Sequence, residues 1–367
     1  MKDKNYYNKI SYSRIMVICI LIVSVIIALY LVYDYNSQFR FSVKSGFYED
    51  SFELEILGNK NYDIYYTLDC SAPTVESIKY DGPIHIDDRT SEVNEYSDRY
   101  DISTGYYSEE IEAYSYSDPD PGYKLPHYDV DKCTVIRAAI FDENEQCIKE
   151  ISGVYFVGSD LKEKYEDMIV ISIATDPYNL FDYYDGIYIT GDDFDDYMDI
   201  CEDIGYDEFW WSSYWYMWPA NYLRRGMGSE REVRVDIFDN NQNLLDSQAC
   251  GLRIQGDGSR GKLPRNLKLI SREVYSGSRY FQTDLLGNEE DLHKYVIFGG
   301  SDDNIFKIND YLANSMESEL NFATMDFKPC VCFLEGEYWG IYYLTEYYDD
   351  DYVESHYKIG RASCRER

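Results

Sequence analysis

The sequence has little of what metal-binding and nucleic-acid-binding proteins need. None of its 9 cysteines forms a Cys-x-x-Cys pair, and its 4 histidines make no zinc-type cluster with them. The acidic run "FDDYMDICEDIG" lacks the glycine and the closing glutamate of a calcium loop. Positive charge is scarce, since 34 lysines and arginines stand against 68 aspartates and glutamates, a net formal charge of −34. A surface of that charge repels a phosphate backbone, so we expect no nucleic-acid partner.

One long apolar run is present near the N-terminus, where Ile15 to Tyr33 carries no charged residue. That length suits a helix that crosses a bilayer, and lysines and an arginine precede it. The positive-inside rule predicts a cytoplasmic segment at 1–14, a transmembrane signal anchor at 15–33 and a linker at 34–40. A cleaved signal peptide is the alternative, but no small-x-small cleavage site follows the run. We therefore expect a single-pass protein of the cell membrane that contacts the lipid bilayer through 15–33 and exposes the rest outside the cell.

Residues 41–158 carry the pattern of a small β domain. Short alternating segments at 52–57, 62–69, 134–142 and 153–158 predict strands. A long polar insert, 87–131, is expected to be a surface loop or partly disordered. The strand and turn sequences, "YYTLDCSAPT" above all, resemble the immunoglobulin-like C-terminal domain of chitobiases and β-hexosaminidases. The resemblance implies an accessory β-sandwich that acts as a spacer or contacts glycan.

The remaining segment, 159–358, mixes predicted strands and helices. The alternation at 169–176 and 232–238 predicts strands, and "CVCFLEGEYWGIYYLTE" predicts a hairpin that turns at Glu335 and Gly336. A helix is predicted in "SDDNIFKINDYLANSMESEL". Its apolar stripe is expected to lie in the core and consists of Ile305, Ile308, Leu312, Met316 and Leu320.

The stretch Gly251 to Leu269, "GLRIQGDGSRGKLPRNLKL", concentrates positive charge in this acidic chain. Its alternation predicts two strands joined by a glycine-rich loop that permits close backbone approach. Exposed N–H groups, the Ser259 hydroxyl and the Arg260 guanidinium can cradle phosphates in such a loop. The glycine spacing fits neither Gly-x-Gly-x-x-Gly nor a Walker A motif. Two interpretations therefore stay open, a nucleotide-phosphate loop and a plain basic hairpin.

Four segments, in this order, resemble the CotH (spore coat protein H-like) kinase family. They are "SIATDPYNLFDYYDGIYITG", "RRGMGSEREVRVDIFD", "GLRIQGDGSRGKLPRNLKLISREVYSG" and "VCFLEGEYWGIYYLTEYYDDDYV". The resemblance covers Ile169 to about Lys358 and implies an atypical protein-kinase-like α+β fold. It implies ATP and Mg²⁺ or Mn²⁺ as cofactors, and phosphate transfer to serine. The residues predicted to contact the nucleotide are Ser259 and Arg260 from the loop chemistry and, from the resemblance, Arg265, Lys268 and Glu346. Glu346 ends a segment, from Leu344, that is either the hinge that contacts adenine or a plain sheet edge leading into a helix.

One position departs from the family pattern. Family members carry a lysine shortly after the loop proline, whereas here Arg265 follows Pro264 and Lys268 is the nearest lysine. Arginine and lysine are not interchangeable at a phosphate-binding position. By analogy with other kinases, Glu317 and Glu319 are the candidate acids to pair with the loop cation.

The last residues, Ile359 to Arg367, break the composition of the chain with three arginines in "IGRASCRER". Codons can be written for them that resemble a widely used short-read sequencing adapter. We expect them to be read-through rather than native protein, with the catalytic and metal-binding residues beyond Lys358 and this chain inactive as it stands.

The predicted fold class is α+β: an N-terminal transmembrane helix, an immunoglobulin-like β-sandwich, and a truncated atypical protein-kinase-like domain. Two functions follow. One is a membrane-anchored extracellular CotH-like serine kinase, for which the −34 charge favours a cationic serine-containing protein substrate. The other is a non-catalytic surface adhesion protein or pseudokinase that associates with cell-wall glycan.

Overall fold

The computed structural model describes residues 17–27, 39–58, 62–105, 125–204, 215–287, 292–300, 306–317, 320 and 323–357. Sixteen strands, β1 to β16, alternate with a few short helices, which confirms the α+β class. The strands form two units, a β-sandwich followed by a closed barrel.

The N-terminal helix α1 spans residues 17–27, and its large apolar side chains are exposed. Among the described residues, no helix is both long enough and apolar enough to cross a membrane. Residues 15–16 and 28–33 of the predicted anchor lie outside the described part of the chain, as do 359–367. The anchor and the read-through segment stay predictions.

The β-sandwich has one main sheet and two short strand pairs. The main sheet, in the order β2-β9-β8-β5-β6, is formed by β2 (Gly46–Tyr48), β5 (Ile64–Thr67), β6 (Ile78–Lys79), β8 (Thr134–Phe141) and β9 (Cys147–Val157). The pairs are β1 (Arg40–Phe41) with β4 (Ile56–Leu57), and β3 (Phe52–Leu54) with β7 (Ile84–Ile86). Leu54, Ile136 and Tyr155 belong to the core between them.

The barrel closes in the order β10-β11-β12-β13-β14-β16-β15, and only the β10–β15 pair is parallel. Its strands are β10 (Ile169–Ala174), β11 (Arg231–Phe238), β12 (Leu244–Gln255), β13 (Asn266–Ile270), β14 (Lys294–Phe298), β15 (Phe327–Leu334) and β16 (Glu337–Thr345). Successive side chains of a strand point to opposite faces. The alternation in "GLRIQ" and "NLKLI" therefore turns the leucines and isoleucine of β12 and of mid-β13 into the barrel core, and turns Arg253 and Lys268 outward.

Six further helices lie on the barrel side of the chain: α2 (Ser159–Lys164), α3 (Tyr178–Phe181), α4 (Gly191–Ile204), α5 (Glu273–Ser276), α6 (Asn309–Glu317) and α7 (Asp350–Tyr357). The strand β9 ends at Val157 and the first barrel strand, β10, begins at Ile169, with α2 in the connection between them.

The apolar stripe of helix α6 is exposed, and its predicted burial is wrong. Ile308 is 43 % exposed, Leu312 46 % and Met316 76 %. The helix contacts the barrel by another side, since the ring of Tyr311 stacks on that of Tyr343 with centroids 5.8 Å apart. Helical periodicity reveals an amphipathic helix, but it does not reveal what covers the apolar face. Ile305 lies outside the described residues.

The polar insert after β7 is not a surface loop where it reaches the barrel. Ile102 and Thr104 are fully buried, and Ser103 is nearly so. The Thr104 hydroxyl donates to the Trp215 carbonyl at 2.7 Å, and the Thr190 N–H donates to the Asp101 carbonyl at 2.8 Å. The prediction from composition is wrong for Ser97 and for 102–104, which are buried, whereas Asp98 and Tyr100 between them are exposed. Residues 106–124 are outside the described part.

The sandwich packs directly on the barrel. The ring of Phe156 on β9 contacts the rings of Phe238 and Phe333 on barrel strands, with centroids 5.6 and 4.9 Å apart. The carboxylate of Glu337, at the start of β16, accepts hydrogen bonds from three successive N–H groups of the insert, those of residues 95–97. The two units therefore share a continuous interface rather than being held apart by a linker.

Candidate functional site

Lys268 lies on the outer face of β13 amid other cations. Arg253 stands directly opposite it on β12. Lys294 lies on β14 opposite Ile270, which is two residues after Lys268 on β13. Lys294 and Lys268 therefore lie on the same face of the sheet. The Lys268 ammonium is 4.2 Å from the centroid of the Tyr347 ring, just after β16. Among the residues that the structure describes, Lys268 forms no ion pair with a carboxylate.

The surroundings of Lys268 disfavour its positive charge. Partial burial, followed by repulsion from Arg253, Lys294 and Arg260, lowers the pKa of its ammonium to about 8. Asp349 acts weakly in the opposite direction. Lys268 itself has no carboxylate partner among the described residues, and a half-buried cation of that kind favours a bound anion.

Arg253, beside Lys268, is paired with a carboxylate. The Glu230 carboxylate accepts hydrogen bonds from Arg253 Nε at 2.8 Å and from Arg272 Nη2 at 2.8 Å. Burial alone would raise the pKa of Glu230, but the hydrogen bonds from Arg272 and Arg253 outweigh it and leave that pKa lowered. Arg253 is thus held in position by Glu230, the residue that precedes β11.

Lys294, the other neighbour, is also paired. Its ammonium contacts Asp349 and lies 2.8 Å from an Asp351 oxygen, at the start of α7. Asp349 caps this helix, because its Oδ1 accepts the Asp351 and Tyr352 N–H groups. The ion pairs of Lys294 connect α7 to β14. Lys268 therefore lies between two cations, Arg253 and Lys294, that are each paired with carboxylates.

The glycine-rich loop is closed by Arg260. Its side chain is 8 % exposed, and its Nε and Nη1 donate to the carbonyls of Gly256 at 2.7 Å and Arg224 at 3.0 Å. Burial, then repulsion from Arg225, lowers the pKa of Arg260 to about 10. Gly256 has φ +125° and a Cβ there would overlap the Ser259 hydroxyl, so this turn requires glycine.

Arg265 is buried behind the loop, away from Lys268. It is fully inaccessible, and its guanidinium lies 3.8 Å from the centroid of the Tyr222 ring and 4.9 Å from that of Tyr188. Its Nε donates to the Arg260 carbonyl at 2.7 Å and its Nη2 to the Ile102 carbonyl at 2.6 Å. These contacts fix the backbone at Arg260 and Ile102. They also keep the Arg265 side chain away from the outer face on which Lys268 lies.

Glu346 is likewise internal. Its side chain is 1 % exposed, accepts the Asp326 N–H at 3.2 Å and lies 3.3 Å from His356 Nε2. Its neighbour Tyr347 is the residue that meets Lys268. Glu317 is exposed at the end of α6 and forms no ion pair with Lys268, and Glu319 lies outside the described residues.

The structure therefore brings together only part of the predicted set. Lys268 lies on the outer face and Ser259 is half-buried in the loop, whereas Arg260, Arg265 and Glu346 occupy buried positions. The Arg260 guanidinium donates to backbone carbonyls, so its predicted place on a phosphate is wrong. Sequence reasoning missed Arg253 as a neighbour of Lys268, although alternation and antiparallel pairing place both on one face. No motif identified Lys294 or Tyr347, which reach Lys268 through β14 and through the end of β16.

The described residues do not fit the metal ion that a kinase needs. Within these residues, no group of three or more histidine, cysteine, aspartate or glutamate side chains is arranged to hold a metal ion. Asp349 and Asp351, the acids nearest to Lys268, are engaged by Lys294. No step of a mechanism is assigned to a metal ion here.

Comparison with known families fits this arrangement. Residues 253–363 match the family described as CotH kinase protein, a range that includes Lys268 and strands β13 to β16. The chain carries a CotH kinase domain. Residues 52–154 match the family described as Fn3 associated, so an accessory β-sandwich precedes the CotH region. The first match confirms the resemblance to the CotH family, and the second confirms that a β-sandwich domain precedes it, of the Fn3 associated family. No curated relative matches the chain.

Proposed function

We propose that the outer face around Lys268 binds the phosphates of ATP, and that the protein is an ATP-dependent protein serine kinase. The observation that carries this proposal is the position of Lys268, which lies half-buried on the outer face of β13 opposite Arg253 and forms no ion pair with a carboxylate among the described residues. Its lowered pKa agrees with that position. The site lies inside the region that matches the CotH kinase protein family. In a basic hairpin without a ligand, nothing would offset the electrostatic cost of a half-buried lysine near other cations.

The residues of this chain would divide the work of binding. The Lys268 ammonium contacts phosphate oxygens, and the approach of an anion raises its pKa again, so the lysine is protonated in the complex. The half-buried Ser259 hydroxyl would meet a further oxygen, whereas the N–H groups of Arg260, Gly261 and Lys262 are already hydrogen-bonded within the loop. Bound ATP supplies the phosphoryl group that is transferred. Arg253, held by Glu230, adds fixed positive charge on the neighbouring strand.

The setting of the kinase also belongs to the proposal. The apolar run 15–33 would anchor the chain in the cell membrane, and the domains after it would face the outside. A protein of net charge −34 attracts cationic partners, which favours basic serine-containing substrates. Mg²⁺ or Mn²⁺ is proposed from the family resemblance alone.

A non-catalytic surface protein, either an adhesion protein or a pseudokinase associated with cell-wall glycan, is the second candidate. The observation that favours it is the Tyr347 ring, which lies over the Lys268 ammonium at 4.2 Å. A cation–π contact of this kind compensates part of a lysine charge without any nucleotide.

Assays of ATP binding and of phosphate transfer, made on the full-length protein, distinguish the kinase from the non-catalytic surface protein. We expect ATP to stabilise the protein in a thermal-shift titration, by about 2.7 kcal/mol at a hundred-fold excess over Kd. Lys268→Met should abolish most of the shift, while the control Lys162→Met, which removes an exposed lysine paired with Glu49, should keep it. Labelled phosphate should enter a basic serine peptide more readily than its acidic counterpart. An ATP shift without transfer would support a pseudokinase, and absence of both would overturn the proposal.

A further inference from the structure

The glycine-rich loop and the insert of the β-sandwich meet at one side chain, Arg265. We infer that Arg265 is a positioning residue through which the accessory sandwich sets the conformation of the loop. The inference deepens the proposed nucleotide site and rests on it where ATP affinity is concerned. The coupling between the insert and the loop is a separate claim about this fold.

Arg265 connects two backbone segments that are far apart in sequence. Its Nε donates to the carbonyl of Arg260 within the loop, at 2.7 Å. Its Nη2 donates to the carbonyl of Ile102 within the insert, at 2.6 Å. The planar guanidinium is held between the rings of Tyr222 and Tyr188. Because the fork of donors is rigid and stacked, both carbonyls have a defined distance from each other.

The insert end of this connection is fixed from several sides. Thr104 donates to the Trp215 carbonyl at 2.7 Å and contacts the Tyr222 hydroxyl at 3.0 Å. Upstream, residues 95–97 donate three N–H groups to Glu337. The Ile102 carbonyl therefore has a place determined by the barrel wall and by the sandwich from which the insert departs.

The loop end of the connection is fixed by a second arginine, Arg260, whose carbonyl is bound by Arg265. Arg265 holds the carbonyl of Arg260, and the Arg260 guanidinium holds the carbonyls of Gly256 and Arg224. The positions of Gly256 and Ser259 thus depend on Arg260, and that of Arg260 depends on Arg265. A displacement of the insert at Ile102 would be transmitted to the turn that carries the Ser259 hydroxyl.

The same contacts distinguish positioning from phosphate binding by Arg265. The side chain has no accessible surface, and a move to the outer face would remove two backbone hydrogen bonds and the stacking on Tyr222. Lysine keeps the charge of arginine but has neither the fork nor the flat face. A lysine in its place should therefore act like a neutral residue if Arg265 positions the loop, and like arginine if its charge binds phosphate.

The test combines hydrogen exchange and ATP binding in the full-length protein. We expect Arg265→Lys and Arg265→Met alike to raise amide exchange in both 97–104 and 256–261 and to weaken ATP binding about tenfold. The dependence of the ATP affinity on salt should stay that of the wild type. Lys268→Met should weaken binding, flatten that salt dependence and leave exchange in 97–104 unchanged.

A substitution in the insert keeps the inference testable if the Arg265 variants do not fold. Thr104→Val removes two hydrogen bonds of the insert without touching the loop, and it should raise exchange at 256–261. Unchanged exchange in the loop would overturn the coupling. Wild-type affinity in Arg265→Lys with lost affinity in Arg265→Met would overturn positioning in favour of a charge contact. Coupled exchange in a protein that binds no ATP would refute the proposed function and retain the coupling.

Discussion

The lowered pKa of Lys268 predicts an unusual pH dependence for ATP binding. With a pKa of about 8, about nine-tenths of the lysine is charged at about pH 7 and about one-tenth at about pH 9. If phosphate binds the charged form, the apparent Kd of ATP rises about tenfold across this interval. An ordinary lysine with a pKa of about 10.4 stays almost fully charged there and would give almost no change.

The direction of this pH dependence follows from the pKa of Lys268 in the free protein. Since the pKa of Lys268 is lowered before ATP arrives and rises in the complex, binding takes up protons above about pH 8 and becomes weaker as the pH increases. Isothermal titration calorimetry across the pH range, in buffers of different ionisation enthalpy, measures both the affinity and the protons taken up.

Lys268→Arg is the matched control for that titration. Arginine stays charged throughout, so its affinity for ATP should not fall with pH, and the ratio of the two proteins cancels the titration of the nucleotide itself. Equal pH profiles for the wild type and Lys268→Arg would refute the reasoning, because they would show that Lys268 does not titrate at the site.

Three further predictions concern stability and are checked by urea denaturation. Glu230→Gln weakens the hydrogen bonds that Arg253 and Arg272 donate to a carboxylate that is 1 % exposed, and should cost about 2 kcal/mol, whereas the control Glu317→Gln on exposed α6 should be neutral. Leu312→Ser on the exposed stripe of α6 should change stability by less than about 0.5 kcal/mol, against about 2–5 kcal/mol for Leu269→Ala in the barrel core. A large loss in Leu312→Ser would show that the stripe is covered. Glu337→Gln weakens the three N–H contacts of 95–97 and should cost about 1–3 kcal/mol. It should also speed proteolytic cleavage of the insert, and unaltered cleavage would contradict the anchoring role of Glu337.

Period-two alternation was enough to predict the strands that build the site. In "GLRIQ" and "NLKLI" every second residue is a large apolar one, and those residues do fill the barrel while Arg253 and Lys268 face outward. Local pattern succeeds here because Leu252, Ile254, Leu267 and Leu269 all face the barrel core, while the cations alternate with them on the other face. The α+β class and the order of sandwich and CotH domain followed from such segments and from their resemblance to known families.

The features that failed depend on distant parts of the chain. Arg265 is charged and follows a glycine-rich loop, and its burial comes from Tyr188, Tyr222 and the Ile102 carbonyl, none of which is near it in sequence. The insert has the polar composition of a surface loop, yet Thr104 is fully buried and its hydroxyl donates to the Trp215 carbonyl. The stripe of α6 has the period of a buried face, but Tyr311 makes the contact with the barrel. Composition and period describe a segment and leave its tertiary partners undetermined.

The central claim is that the pKa of Lys268 is lowered in the free protein and that Lys268 binds an anion. The most direct measurement is its pKa by NMR, with the side chains of the lysines labelled at Cε and the Lys268 signal assigned through Lys268→Arg. The account predicts a pKa of about 8 in the free protein and a pKa raised by at least about one unit when ATP is added. A pKa near about 10.4 in the free protein, unmoved by ATP, would contradict it.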